Sequence, residues 1–493
     1  IANDSTFAPL QVDDEFLTLA NIQVINEPLN PHQFNYKKYL ENLGVYHQVR
    51  IVPDQIIKVK NSNSSFIGMA SKARDNIIKK LKKENFGADE IGVIQALLLG
   101  QRSDISEETY SNYQKAGAVH ILAVSGLHIG ILLLLIQFLL SPLKNIPQGR
   151  TVILMLSVLF LWGFAFLAGL SASIIRATAM FTFVAYALYL NRPSNSFNIL
   201  ALSVLFILLF INPNLLFQVG FQMSYAAVFA ILWIFPLLKK LWFPKNKIVR
   251  YFWQLLCVSI AAQLGVLPIS LYYFHQFPGL FFISNLIIVP ALGIILGIGI
   301  LVIFLSLINW LPSKLVWFYN GIISLMNNLI GWVAKQESFI FSSISLDFGQ
   351  LILSFIVIVF FINACTLFTY KRITLFIISL LSFQSYTAFQ KLEACKTREA
   401  IVLHQTKNSI LINRSGRNLS VLSNSSEKAN NLISDYQTAE RIESTQFDSL
   451  KNSYSLKNET LLVLDSAGIY TQSTSQKIIL LIQSPKINLD RLI

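Results

Sequence analysis

Residues 118–130, AVHILAVSGLHIG, open the first long apolar run of the chain and carry two histidines, one serine and two glycines. A lipid-facing helix would place leucine at most of these positions, because polar side chains are costly in the hydrocarbon layer. The stretch therefore predicts a functional site inside a membrane protein.

The composition supports a membrane protein. Hydrophobic residues form 54% of the chain and charged residues 13%, whereas soluble domains are about one-quarter charged. A helix needs roughly 20 apolar residues to cross a bilayer, and segments near that length recur about ten times. The predicted spans are residues 121–140, 152–170, 172–190, 197–211, 215–238, 252–274, 280–308, 315–334, 351–368 and 373–389. We expect an α-helical polytopic membrane protein.

Changes in composition divide the chain into four parts. Short alternating runs before residue 62 predict a small β domain, and strand-like runs after residue 390 predict a small soluble α/β or all-β domain. Because the first residue is Ile1 and not methionine, we expect upstream residues. The predicted parts are 1–62 (β domain), 63–120 (amphipathic helical segment), 121–390 (transmembrane domain) and 391–493 (soluble domain).

Basic loops predict the orientation, because Lys and Arg are retained on the cytoplasmic side. The loop 239–250, KKLWFPKNKIVR, is the richest in these residues and should lie inside. Counting spans from it puts the loops at 141–151, 191–196 with Arg192, and 370–372 inside as well. Both polar ends of the chain are then external.

The helix predicted after residue 65 has Ile77, Ile78 and Leu81 on one side and four lysines spread around the rest of its surface. Two interpretations stay open for them: a solvated helix resting at the membrane interface, or contact with a phosphate backbone. The DNA-contact candidates are Lys79, Lys80, Lys82 and Lys83.

Polar residues within the apolar runs are the candidates for a lumen or a gate. Arg176 could snorkel to the interface or provide a fixed positive charge on an anion path. Amides on several spans suggest a polar path that binds its cargo weakly. These channel-lining or gating candidates are Ser125, His128, Arg176, Gln218, Gln222, Gln263 and Asn285.

Ser125 and His128 stand at positions i and i+3, so they share one helical face, and Gly126 and Gly130 allow close approach or a helix break. The pair could belong to a pore or gate, could form packing and hydrogen bonds, or could be the dyad of an intramembrane serine hydrolase. A metal site is not expected, since three scattered cysteines form no CxxC pair and the C-terminal part contains one histidine, His404.

Six blocks, in this order, resemble the competence domain of the ComEC family. They are ALLLGQRSDIS (96–106), AGAVHILAVSGLHIGIL (116–132), AGLSASIIRATAM (168–180), NPNLLFQVGFQMSYAAV (212–228), AAQLGVLPISLYYFHQFP (261–278) and SNLIIVP (284–290). The segment EPLNPHQFNYKKYLENLGV (27–45) is similar to the external N-terminal domain of that family, usually an OB-type β fold.

The resemblance implies an inner-membrane channel that passes one strand of incoming DNA into the cytoplasm during natural transformation. Many family members carry a metallo-β-lactamase-like C-terminal domain proposed to degrade the other strand. Residues 391–493 lack the HxHxDH ligands, so this part is expected to be a degenerate or unrelated domain without nuclease activity.

We therefore expect a channel for single-stranded DNA, without enzymatic activity or cofactor, in the bacterial inner (plasma) membrane. No GxxxxGK[ST] loop occurs, so energy must come from a partner. Expected partners are single-stranded DNA, membrane lipid, a DNA-receptor protein outside, a cytoplasmic ATPase or strand-binding protein inside, and a second copy of the chain. The net charge of +13 suits a polyanion, but it also suits a membrane protein with basic inner loops. A transporter of another solute remains the second alternative.

Overall fold

The computed structural model describes residues 10–52, 55–59, 64–190, 195–404, 410–423, 430–451, 453–456, 459–464 and 477–482. The boundary predicted at residue 62 and the predicted inner loop residue Arg192 lie outside these ranges. Two compact units emerge from the contacts: Ile1–Ile25 with Glu41–Ser342, and Asn26–Leu40 with Ser343–Ile493. The predicted four-part division stays a prediction.

Helices dominate the described residues. They are α1 (Tyr36–Asn42), α2 (Phe66–Leu81), α3 (Ala88–Leu99), α4 (Glu107–Lys115), α5 (Val119–Leu122), α6 (Gly126–Leu139), α7 (Gly149–Leu167), α8 (Ala172–Tyr189), α9 (Ser196–Phe206), α10 (Val219–Lys239), α11 (Lys247–Phe274), α12 (Phe281–Leu307), α13 (Ser313–Ala334), α14 (Phe348–Thr366), α15 (Tyr370–Lys396) and α16 (Asn430–Ala439).

The strands are short. They are β1 (Glu15–Leu17), β2 (Ile22–Val24), β3 (His47–Val49), β4 (Ile57–Val59), β5 (Phe277–Pro278), β6 (Ile340–Phe341), β7 (Arg398–Leu403), β8 (Ile410–Ser415), β9 (Asn418–Ser423), β10 (Ser444–Asp448), β11 (Ser453–Leu456), β12 (Glu459–Leu464) and β13 (Lys477–Ile482).

Among the described residues, seven helices are long and apolar enough to cross a bilayer: α7, α8, α10, α11, α12, α14 and α15. They coincide with seven of the predicted spans, which confirms a mostly helical chain with several candidate membrane-spanning helices. Of the other three predicted spans, α6 and α9 are apolar but shorter, and α13 carries Asn320, Asn327 and Asn328. The count of about ten spans stays a prediction.

The core of the first unit lies between α2, α3, α12 and α13. Ile77 and Leu81 of α2 are buried in it, together with Leu97 of α3 and Tyr319 of α13. The apolar side of α2, visible in the sequence, therefore packs on protein. A buried hydrogen bond from Ser284 Oγ to the Ala116 carbonyl, 3.1 Å long, joins α12 to the segment before α5.

The N-terminal strands form two antiparallel pairs, β1 with β4 and β2 with β3. Every strand is three residues long. A small β region is thus present, and its assignment as an OB-like domain stays a prediction.

The second unit combines the helical pair α14 and α15 with a small sheet, which confirms the C-terminal sheet expected from the sequence. The sheet has the order β10-β9-β8-β7, with β10 parallel to β9. Ile433 and Tyr436 of α16 pack on its apolar side chains. A second sheet has the order β11-β12-β13.

Arg414 on β8 forms the centre of a charged cluster in this unit. Its side chain is 2% exposed and contacts Glu399 at 3.1 Å and Glu440 at 2.5 Å. Hydrogen bonds from His32 and Arg414 lower the pKa of Glu440 to about 2. The cluster therefore holds the Glu440 carboxylate in the charged form.

Asn30 ties an N-terminal segment to the C-terminal sheet. Its Nδ2 donates to the His404 carbonyl at 3.1 Å, and the His404 backbone N–H donates to Asn30 Oδ1 at 2.7 Å. The amide side chain thus pairs with the peptide group in the way that a neighbouring strand would. Residues far apart in sequence consequently lie side by side within the second unit.

Candidate functional site

The helix predicted over residues 121–140 is interrupted at Ser125. The helix α5 ends at Leu122, Ala123 is extended, and Ser125 is the N-cap of α6. Ser125 Oγ lies 2.9 Å from His128 Nδ1, and the Ser125 backbone N–H donates to the same nitrogen at 3.2 Å. His128 thus takes the place that glutamate or glutamine has in a capping box.

The ring of His128 is almost fully buried, with 2% of the residue exposed. A neutral imidazole that accepts a backbone N–H at Nδ1 carries its proton on Nε2. This Nε2 has no hydrogen-bond partner among the described residues. The pair therefore fixes the start of α6 and leaves one buried donor unused.

Arg176 on α8 is 4% exposed. Its Nη1 lies 3.9 Å from Met180 Sδ, and its Cζ lies 5.7 Å from the centre of the Tyr225 ring. The Nε atom has no hydrogen-bond partner, and no ion pair to Arg176 is present, in the described part of the chain. Since buried charges are normally paired, an unpaired buried guanidinium indicates a function for the charge.

The guanidinium of Arg176 lies beside the first residue of α6. A Cβ atom placed on Gly126 would be 3.5 Å from Nη2 and 3.8 Å from Nη1. The structure therefore brings together three candidates, Ser125, His128 and Arg176, at one helix start. The Arg176 side chain reaches this position by packing of α8 against α6, within a cluster that includes Ile129 and Ala177.

The four amide residues predicted to line the channel lie on different helices or helix ends. Gln218 is the N-cap residue of α10, and Gln222 Nε2 donates to the Leu216 carbonyl at 3.1 Å. Gln263 is half-buried on α11, and Asn285 Oδ1 on α12 is buried without a partner among the described residues. Gln222 lies one turn before Tyr225, the ring next to Arg176. None of the contacts described here joins Gln263 or Asn285 to Arg176.

The four predicted lysines divide into two pairs. Lys80 Nζ contacts the Leu307 carbonyl at 2.6 Å, and Lys82 forms an ion pair with Asp104 at 2.6 Å. The Lys82 hydrogen bond holds the pKa of Asp104 below its ordinary value. Lys79 and Lys83 are exposed. Neither of these two forms an ion pair within the part of the chain that the structure describes.

Two residues near the site were not among the sequence candidates. Thr178, two positions after Arg176, is fully buried, and its Oγ1 has no partner in the described part of the chain. Tyr225 contributes the ring beside the guanidinium. Thr178 stands in the same apolar run as Arg176, so a search for every hydroxyl in that run would have included it.

The comparisons with known proteins cover the helical part and the C-terminal part separately. The family described as Competence protein matches residues 97–370, and the ComEC C-terminal domain matches residues 400–493. The chain is 31% identical over 316 residues to ComE operon protein 3 of Bacillus subtilis, which covers 64% of this chain and 39% of that protein. It is 30% identical over 272 residues to Recombination protein 2 of Haemophilus influenzae, covering 52% of this chain and 34% of that protein.

No solved structure matches the chain significantly. The matched part of the chain spans well under half of the length of these two curated relatives. The first family match covers more than half of the chain, and it contains the start of α6 and Arg176. The second covers the C-terminal sheet. This chain belongs to the ComEC competence protein family.

Proposed function

We propose that the chain conducts single-stranded DNA across the bacterial inner membrane into the cytoplasm and acts as a channel, not as an enzyme. The observation that carries the proposal is that the competence family match at 97–370 covers the helices around the buried Arg176, which has no ion pair in the described ranges of the chain. A strand of DNA is a polyanion, and its passage through a low-dielectric region needs fixed positive charge without a competing carboxylate.

The path in this proposal is lined by Arg176 and by the amides Gln218, Gln222, Gln263 and Asn285, with Ser125 and His128 at a constriction. Amides offer donors and acceptors without net charge, so they bind bases and phosphates weakly. The support within the structure is a set of buried polar atoms, in His128, Arg176 and Asn285, that have no hydrogen-bond partner among the described residues. Weak binding at several points allows the strand to be released.

The proposed topology has about ten spans, with α6, α9 and α13 crossing in addition to the seven candidate helices. The Asn30–His404 contact supports an even number, because two residues that touch outside the membrane lie on the same face of it. All seven candidate helices lie between these residues, so an odd count would separate them. The basic loops place that face outside.

The exposed cysteines provide a test of orientation. Cys365 lies in the last turn of α14, and Cys395 lies near the opposite end of α15. In a Cys257→Ala background, a membrane-impermeant maleimide should label Cys395 in intact spheroplasts and Cys365 after permeabilisation. The reverse pattern would contradict the proposed orientation.

The external parts are proposed to receive the strand. An OB-like N-terminal domain would supply stacking platforms and basic grooves, and the exposed side chains of Lys79 and Lys83 would contact phosphates. A DNA-receptor protein outside, a cytoplasmic ATPase or strand-binding protein inside, and a second copy of the chain complete the proposal.

Uptake of labelled DNA tests this function directly. Cells lacking the gene should keep surface-bound label and lose the DNase-protected cytoplasmic pool. Wild-type protein should restore the pool, and Arg176→Leu or Gln222→Leu should not. Met155→Leu, at an exposed position of α7, is the matched control. Unchanged uptake without the gene would reject the proposal and favour a transporter of another solute.

A second candidate, an intramembrane serine hydrolase, is favoured by the 2.9 Å distance between Ser125 Oγ and His128 Nδ1. The backbone N–H of Ser125 competes for the same nitrogen, which favours a capping role. Ser125→Ala removes the nucleophile and one cap contact. Full function in this variant, with normal insertion, would eliminate the hydrolase.

A further inference from the structure

We propose that Arg176 and the start of α6 form a binding site for one phosphate group. On the proposed function, on which this identification rests, the occupant is a phosphodiester of the transported strand. The site consists of the Arg176 guanidinium and the first-turn backbone N–H groups of α6, which meet at Gly126. It deepens the channel proposal by assigning a single capture point within the path.

The charge of Arg176 is the first argument. A guanidinium that is 4% exposed loses most of its hydration, and only a nearby anion or a network of hydrogen bonds compensates such a loss. The described residues supply a thioether and an aromatic ring, which are weak partners for a cation. The Nε atom has no partner at all in the described part of the chain. An anion from outside the chain supplies the missing partner.

The helix start is the second argument, independent of the first. The helix α6 has 14 residues, and the first N–H groups of any helix have no acceptor within it. The Ser125 side chain accepts from the His128 N–H in the capping box, which leaves the N–H groups of Gly126 and Leu127 for a ligand. Together with the helix dipole, they favour an anion at this end. The protein thus places a buried guanidinium next to the positive end of a helix. The two positive groups repel each other unless a negative charge lies close to both.

The chemistry of the donors selects a phosphate. A guanidinium binds two oxygens of one group with its planar fork, and a helix start offers further N–H donors to another oxygen. A tetrahedral oxyanion satisfies both sets, whereas a halide satisfies neither geometry. The absence of a side chain at Gly126 keeps the guanidinium and the first turn free of an intervening methyl group, since a Cβ there would lie 3.5 Å from Nη2.

The test uses the full chain in nanodiscs of zwitterionic lipid. Binding of a fluorescent oligothymidylate is measured by anisotropy, and binding of inorganic phosphate by the shift in thermal midpoint. Arg176→Gln should weaken both by about 10-fold or more, as expected for loss of a charge-assisted contact, and Arg176→Lys should retain part of the binding. An oligomer with an uncharged methylphosphonate backbone should not bind.

A matched glycine pair separates the site from general effects on the helices. Gly126→Ala places a methyl group at ordinary contact distance from the guanidinium and should weaken phosphate binding by about 3-fold. Gly163→Ala lies on α7, where a Cβ meets no atom within 4 Å, and should leave binding unchanged. Because neither alanine creates a clash, these variants keep the test valid even if Arg176→Gln does not fold.

The outcomes distinguish the site from the channel. Phosphate binding that depends on Arg176, without any binding of the oligothymidylate, would support the site and reject the DNA proposal. Loss of phosphate binding in nanodiscs of anionic lipid would show that a lipid headgroup fills the site, which overturns the transported strand as occupant. Equal phosphate binding by wild type, Arg176→Gln and Gly126→Ala would overturn the site itself.

Discussion

Replacing Arg414 by methionine should loosen the C-terminal sheet. Methionine has a similar length but donates no hydrogen bond. The substitution removes the contacts to Glu399 and Glu440 and the bond from Nε to the Gly416 carbonyl, 2.9 Å long. The bond from Nη2 to the Ala394 carbonyl, at the end of α15, is lost as well. Several acceptors around a 2% exposed side chain would then lose their donor.

The magnitude follows from burial. Breaking a buried ion pair by removing one partner costs about 3–5 kcal/mol. The side chains of Glu399 and Glu440 are 37% and 28% exposed, so water recovers part of the loss and the lower value, about 3 kcal/mol, applies. That cost corresponds to a roughly 100-fold increase in the equilibrium constant for local opening of the sheet.

Hydrogen exchange of the amides of β8, followed by mass spectrometry on the full chain in detergent, measures this opening. The matched control is Arg417→Met, which removes an ion pair with Glu443 whose side chains are 24% and 62% exposed, and one hydrogen bond from Nε to the Arg441 carbonyl. Such pairs contribute less than about 1 kcal/mol, so exchange should rise by less than about 5-fold. Equal exchange of β8 in the two variants would refute the reasoning from burial.

Three further predictions concern packing, hydrogen bonding and pH. Gly265→Ala should lower the free energy of unfolding by about 1–3 kcal/mol, because a Cβ would lie 2.5 Å from a methyl group of α10, and the thermal midpoint should fall with it. Gly220→Ala should leave the thermal midpoint unchanged, because its Cβ would meet no atom within 4 Å. Tyr113→Phe removes the 2.9 Å bond to Asn327 Oδ1 and should cost about 1–3 kcal/mol in chemical denaturation. Because folding lowers the pKa of Glu440, the charged carboxylate stabilises the fold at pH values above its ordinary pKa of about 4.3. This stability should be lost as the pH falls toward about 2. Pepsin should therefore cleave the C-terminal region faster as the pH falls across that range. In Glu440→Gln, the rate of cleavage should depend less steeply on pH.

The apolar runs predicted most of the helical architecture, because bilayer-length helices leave a signal in composition alone. Composition does not predict a span where one helix contacts both the apolar core and polar groups. The helix α13 is apolar toward the core at Tyr319 and Ile323 but also places Asn327 against Tyr113. Its mean composition therefore resembles neither a lipid-facing span nor a soluble helix. The span count depends on such helices.

The candidate site divides in the same way between local and distant determinants. The contact between Ser125 and His128 could be predicted, since i and i+3 side chains meet at a helix start. The approach of Arg176 to Gly126 could not, because it depends on how α8 packs against α6. The Arg414 cluster was missed for the same reason: its carboxylates come from β7 and from the residue after α16.

The pairing of Asn30 with His404 has a consequence for how the chain is made. Asn30 leaves the ribosome long before its partner strand exists, and 374 residues separate the two. Closing so long a loop is slow, because the chain entropy is lost before the contact forms. The segment Asn26–Leu40 must therefore wait, unpaired, while the intervening helices are inserted into the membrane. The second unit is then completed only after these helices have been inserted, and a chain truncated before β7 would insert its helices but leave this segment open to proteases.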